Sequence, residues 1–195
     1  MTRLLLHEKS LNSSGYSSIA GVDEAGRGPL AGPVVAGAVI IKNFKFKERI
    51  DDSKKLTAKS RERAYSEIME KSIVGIGIIG EKTIDRINIY QATKRAMQIA
   101  VSNLRIPPDF VIVDGNMKIA TKCPIKCIAG GDSKSLSIAA ASIVAKVTRD
   151  RIMVEYDKLY PQYGFARHKG YGTRLHKKPS WSPARLRSTA TVTGL

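Results

Sequence analysis

Cysteine is nearly absent from this chain: Cys123 and Cys127 are the only two. No further Cys or His cluster lies near them, so a zinc site is short of ligands and no disulfide framework exists; both read as free thiols. Histidine is almost as scarce, with His7, His168 and His176 standing isolated. No nucleophile elbow occurs, and the glycine-rich stretch near the start lacks the Gly-Lys-Ser/Thr ending of a phosphate-binding P-loop. No apolar run is long enough to span a bilayer, and residues 1–12, despite Leu4-Leu5-Leu6, lack the apolar core and small-residue cleavage site of a leader. A cytoplasmic protein without membrane contact is expected. Acids are also few: 17 Asp+Glu face 33 Lys+Arg, a net charge of +16. Such an excess favours a polyanion, nucleic acid being the commonest, although an anionic membrane surface or solubility alone would also account for it.

What is present suffices for one folded domain. A chain of 195 residues with 43% hydrophobic and 26% charged residues has globular values, and a chain of this size buries about 70% of its unfolded surface. Residues 1–16 are polar and end in Ser13-Ser14-Gly15, which predicts a loosely held arm. Residues 19–22 and the β-branched run 33–41 read as strands. Thr57 is the expected N-cap of a helix reaching about Lys71, with Ala64, Tyr65, Ile68 and Met69 inward. Residues 73–80 alternate glycine with isoleucine or valine, a third strand whose glycines mark a bulge or a close neighbour. After a short turn capped by Thr83, Tyr90, Thr93, Met97, Ala100, Val101 and Leu104 recur at helical spacing. Short strands at 109–113 and 125–128 follow, then a long helix from Leu136 to about Tyr160.

The chemistry concentrates in Asp23-Glu24, at the end of the first strand and just before Gly26-Arg27-Gly28. Adjacent acids at a strand end repel unless donors or cations neutralise them. Glycines open the backbone N–H groups to a partner, and arginine offers a planar fork of donors that suits a sugar-phosphate backbone. Asp114 and Asp132 also follow strand-like or glycine-rich segments, and in α/β sheets ligands gather where strands end. Four carboxylates suit hard cations such as Mg²⁺, and a pair of these can clamp the attacking and leaving oxygens of a phosphodiester. Each acid has a plainer alternative: Asp114-Gly115 as a turn, Asp132 as a helix N-cap. Lys54, Lys55, Lys146 and Arg149 read first as solvated charges. Tyr171, between glycines in a basic run, is expected to be exposed and able to pack on a sugar or base.

Six segments then resemble one family, the bacterial ribonucleases HII: Gly21-Val22-Asp23-Glu24-Ala25-Gly26-Arg27-Gly28-Pro29, Asp52-Ser53-Lys54-Lys55-Leu56, Val113-Asp114-Gly115, Gly131-Asp132-Ser133-Lys134-Ser135, residues 139–150, and His168-Lys169-Gly170-Tyr171-Gly172-Thr173. The resemblance implies a ribonuclease H-like α/β fold, a mixed five-stranded sheet flanked by helices, in one catalytic domain over residues 1–174. It implies cleavage of RNA in RNA/DNA hybrids and incision at single ribonucleotides in duplex DNA, leaving 5′-phosphate and 3′-hydroxyl ends. It further implies that Asp23, Glu24, Asp114 and Asp132 are catalytic and bind two Mg²⁺ or Mn²⁺ ions, and that Gly26, Arg27 and Gly28 read the ribose 2′-hydroxyl. Lys54 and Tyr171 join the substrate-binding set, Tyr171 against the following deoxyribose, and a monomer is expected. The intact Gly26-Arg27-Gly28 favours this family over its HIII relative, and with 16 residues before the first strand the extra domain of that relative is not expected. Residues 175–195 depart from the family ending and are expected as a short atypical tail. A non-catalytic nucleic-acid binder, a doubly wound mononucleotide-binding enzyme and another nuclease of the same fold remain as competing readings.

Overall fold

Apolar β-branched runs become strands. In the computed structural model, which describes residues 2–172, these are β1 (Ile19–Ala25), β2 (Val34–Ile41), β3 (Ser72–Ile79), β4 (Phe110–Asp114) and β5 (Ile125–Ile128). They form one five-stranded sheet in the order β3-β2-β1-β4-β5. β1 pairs antiparallel with β2 and parallel with β4; β2–β3 is antiparallel and β4–β5 parallel, so the sheet is mixed. β2 is buried at every position. β3 pairs with β2 without interruption from Ser72 to Ile79, so its glycines mark a close neighbour and not a bulge: a Cβ on Gly75 or Gly77 would stand 2.1 Å from Ala100 O or 2.0 Å from Ala96 O.

Five helices flank the sheet among the described residues: α1 (Leu6–Ser13), α2 (Ala58–Lys71), α3 (Glu81–Ser102), α4 (Leu136–Leu159) and α5 (Phe165–His168). Alternation along the strands sorts the two faces. Ala20, Val22, Ala36, Ala38, Val111 and Val113 pack on Ala92, Ala96, Met97 and Ala100 of α3. Val39 and Ile41 face the opposite way, onto Leu136, Ala140 and Ile143 of α4 and Ala64 and Ile68 of α2. Small residues let α4 approach β1 closely: a Cβ on Gly21 would stand 2.2 Å from the carbonyl carbon of Ser137.

Several expectations change in the folded chain. The segment read as a loose arm contains α1, whose Glu8 is 2% exposed and bonded to Ser135 and Ser137; its polar composition hid a contact made to residues far along the chain. α3 begins at Glu81 and breaks at Asn88, whose φ of 66° and ψ of 165° are non-helical. Asn88 Oδ1 accepts from Gln91 N at 3.1 Å, so it caps the second stretch. Tyr90, expected inward, is 48% exposed, and Met69 is likewise 43% exposed. The Thr57 cap forms as expected, its side chain accepting from Ser60 N. None of the described helices is long and apolar enough to cross a membrane. The expected tail, His176 and Thr173 lie outside the described residues.

Gly21→Ala should lower stability by about 1–3 kcal/mol, the usual range for overpacking a tight core. Because β1 has backbone of α4 on that side, side-chain rearrangement cannot absorb the methyl group. Chemical denaturation checks this, and a variant within about 0.5 kcal/mol of the parent, the range of a neutral surface change, would mean that helix and strand separate easily.

Candidate active site

Parallel pairing of β1 and β4 puts Val22 opposite Val113, so the next residues, Asp23 and Asp114, emerge side by side where the strands end. Asp114 pairs across to Ile128 of β5. The chain then turns through Gly130, with φ +63°, into a short 3-10 turn over Gly131–Ser133 that returns Asp132 to the same corner. One carboxylate oxygen from each of Asp23, Asp114 and Asp132 lies within 4.8 Å of the others. Gly131 N donates to Asp114 Oδ1 at 2.6 Å, and Glu24 N donates to Asp23 Oδ1 at 2.7 Å. Asp23 and Asp132 are buried.

Crowding of like charges away from water governs the electrostatics. Burial, reinforced by Glu24 and Asp114, pushes the Asp23 carboxyl well above the usual carboxylate range. Burial, with Asp52 and Asp114, also pushes Asp132 upward. Lys54 answers these charges: burial works against its ammonium, yet Asp52, Asp132, Asp23 and Asp114 together raise its pKa. The loop carrying Lys54 is joined to α4 through the Ser53 and Ser142 hydroxyls, 2.8 Å apart. Asp52 accepts from Lys54 N at 2.9 Å. An all-carboxylate donor set without histidine or cysteine fits a hard, oxygen-preferring divalent cation, and such a cation would offset the burial and like-charge crowding that disfavour a charged Asp23.

Four acids were expected to converge, and three do. Glu24 stands outside the group whose carboxylate oxygens lie within 4.8 Å of one another, though its charge acts on Asp23; its Oε1 takes Arg27 Nη1 at 3.1 Å, with Arg27 half exposed. Asp132 is not the cap of α4 either: Ser135 is, accepting from Ile138 N at 3.2 Å.

The turn after Glu24 is held from behind by a buried arginine. Arg149 is 1% exposed and donates from Nε to Pro33 O, from Nη1 to Lys169 O and from Nη2 to Ala31 O, each at 2.9 Å. This corrects its reading as a solvated charge, because three carbonyls aimed at one guanidinium replace the water it loses. Gly26 has φ +108°, and a Cβ there would stand 2.4 Å from Pro33 O and 2.6 Å from Arg149 Nε. Leu30 N donates to Gly170 O at 2.9 Å, joining this turn to the segment bearing Tyr171. Tyr171 is 47% exposed, with Gly28 beside its ring and Lys146 Nζ 5.9 Å from the ring centroid. His168, in the basic run, is occupied structurally: Nε2 lies 2.7 Å from Tyr163 O, and Nδ1 accepts from Gly170 N. Gly26, Arg27, Gly28 and Tyr171 thus share one surface. Asp52, Ser53, Ser142 and Arg149 were not singled out as parts of the site from sequence, although Asp52-Ser53 directly precedes Lys54 and Ser142 and Arg149 lie in the family-like segment 139–150.

A mixed five-stranded sheet with carboxylates gathered where its central parallel strands end defines the ribonuclease H-like class. A family model described as Ribonuclease HII matches residues 20–182. The chain is 56% identical over 174 residues to Ribonuclease HII of Acetivibrio thermocellus, covering 89% of this chain and 68% of that protein; it therefore spans about two thirds of that relative's length. The ribonuclease H2 of Pyrococcus horikoshii OT3 superposes with a TM-score of 0.71 at 25% identity, covering 91% of this chain and all of that one. Bst-RNase HIII in complex with Mn2+ shares the fold at TM-score 0.54 and 21% identity, over 73% of this chain and 55% of that one. The chain belongs to the ribonuclease HII family, and it is a ribonuclease H, an endoribonuclease that hydrolyses phosphodiester bonds.

Asp23→Asn should raise the melting temperature in chelator at neutral pH by about 2–4 °C, the shift that ~1 kcal/mol produces in a domain of this size. The sign follows from the raised pKa: the Asp23 contribution to stability is present below its unfolded pKa and is lost as pH rises through the folded value. The gain of the variant should therefore shrink as the parent is acidified and Asp23 takes up its proton. Melting curves at several pH values decide it; a gain independent of pH would contradict the charge argument.

Proposed function

We propose that this ribonuclease is a metal-dependent endonuclease that cuts the RNA strand of RNA/DNA hybrids and incises duplex DNA at a single embedded ribonucleotide, leaving 5′-phosphate and 3′-hydroxyl ends. The observation that carries this reading is the Asp23, Asp114 and Asp132 cluster, with the Gly26–Gly28 turn beginning three residues after Asp23. Those three carboxylates would hold the ions, Mg²⁺ or Mn²⁺, with Glu24 completing the set once its side chain leaves Arg27. When bound, a pair of such ions supplies a water nucleophile at neutral pH and stabilises charge on the leaving oxygen. The chain's own residues do the rest. Lys54, set among the acids, places a positive charge where a phosphate must enter. The N–H groups of the Gly26–Gly28 turn and the Arg27 guanidinium are donors for a ribose 2′-hydroxyl, the group that separates RNA from DNA. The half-exposed Tyr171 ring beside Gly28 offers a face to the neighbouring sugar.

A net charge of +16 supports a duplex partner, held by phosphate contacts that carry no sequence information. A cytoplasmic monomer is part of the same reading.

Incision of a duplex containing one ribonucleotide, mapped at nucleotide resolution, tests it. A cut at the ribonucleotide should appear with Mg²⁺ or Mn²⁺ and vanish in chelator. Asp114→Asn should reduce turnover by about 10²- to 10³-fold, the scale of removing one preorganised charge, while duplex binding changes by only a few fold. Arg27→Ala should blunt the preference for a lone ribonucleotide; an unchanged preference would remove Arg27 from recognition. Duplex binding with no cleavage under any divalent ion would return the chain to the competing class of non-catalytic binder.

A further inference from the structure

Glu8 takes no part in the chemistry proposed above, yet it is a carboxylate only 2% exposed in a protein short of acids. Its Oε1 accepts from Ser135 Oγ at 2.6 Å, Ser137 N at 3.0 Å and Ser137 Oγ at 2.6 Å. Its Oε2 is buried with no hydrogen-bond partner. Burial of a carboxylate is tolerated where its charge is matched, and the first turn of the 24-residue α4, whose Ser137 N–H donates to it, is a favourable place for a negative charge. A terminal helix could be fastened to the core by apolar contacts alone. Placing a half-satisfied carboxylate there points to a geometric task.

The hydrogen bonds lead from Glu8 into the site. Ser135, whose hydroxyl donates to Glu8, caps α4 and donates its own N–H to Gly131 O at 2.8 Å. Gly131 N–H donates to Asp114 Oδ1 at 2.6 Å. Asp132 is held in the turn between those two anchors. A second route passes through Ser137, whose carbonyl carbon lies against Gly21, two residues before Asp23.

From this geometry we propose that Glu8 is a positioning residue for the three clustered carboxylates: it locks the first turn of α4 so that Asp23, Asp114 and Asp132 keep the spacing a divalent cation needs. The proposal rests on reading those acids as cation ligands. The effect of Glu8 is transmitted through Ser135 and Ser137; it touches neither ion nor substrate.

The test is Mn²⁺ binding to the full chain without nucleic acid, followed by loss of the free-ion electron paramagnetic resonance signal. The parent, Glu8→Gln and Glu8→Ala are compared, each well below its melting temperature. Glutamine keeps the volume and one carbonyl acceptor, so it should fold even where alanine does not, and it then decides the question alone. The Kd for Mn²⁺ should rise about ten-fold in Glu8→Ala, the lower end of what losing an outer-shell partner costs, and about three-fold in Glu8→Gln, which keeps one acceptor. Cleavage should recover as Mn²⁺ is raised, with the KM for duplex unchanged. A purely structural role would lower the melting temperature and leave Kd alone, so a Kd within about 1.5-fold of the parent in folded Glu8→Gln overturns the proposal, being half the smallest loss expected. Failure of the parent itself to take up Mn²⁺ would sink the ligand reading on which the proposal stands, and the two failures are told apart by which protein shows them.

Discussion

The interaction on which this structure turns is the repulsion among carboxylates set where β1 and β4 end. Asp23 is nearly sealed from water, with Asp114 and Asp132 within reach of a common ion. Unpaired, such a group favours the proton over the charge, which is the direction its pKa takes. The surroundings temper the repulsion without removing it. Main-chain N–H groups of Glu24 and Gly131 take one oxygen each, and Lys54 leans in from a neighbouring loop. What is left over is a negative corner in a chain that elsewhere carries a large positive excess.

Rigid backing makes such a corner usable. α4 lies against β1 through Gly21 and carries Ser142, which meets the loop of Lys54. Further along the same helix, Arg149 gathers the carbonyls of Ala31, Pro33 and Lys169 and so ties the turn after Glu24 to the segment of Tyr171. One helix therefore braces both the acids and the surface proposed to sense ribose. A buried guanidinium suits this role because its five donors lie in one plane and remain charged.

The sheet was readable in advance where runs were long and β-branched: β2 and β5 fall within one residue of their expected bounds. Asp23, Asp114 and Asp132 were legible as candidates because each follows an apolar or glycine-rich stretch, a costly place for an acid. Glu24 was grouped with them by adjacency, and here its carboxylate is taken up by Arg27. α1 was missed because its single buried acid has partners more than 120 residues away. The break in α3 at Asn88 was missed for a different reason: a positive φ at an asparagine leaves the apolar spacing around it intact.

By itself the amino-acid order determined what is local: which stretches are apolar enough to become strands, where Thr57 caps a helix, that acids are few, and which motifs mark the ribonuclease HII family. Parallel pairing of two strands separated by some 85 residues decided that Asp23 and Asp114 would meet, and a left-handed turn at Gly130 decided that Asp132 would join them. Only tertiary structure could choose between a solvated and a buried Arg149 or Glu8. Burial and charge compensation depend on which carbonyls and hydroxyls the fold brings near, and neighbours in sequence carry no record of that.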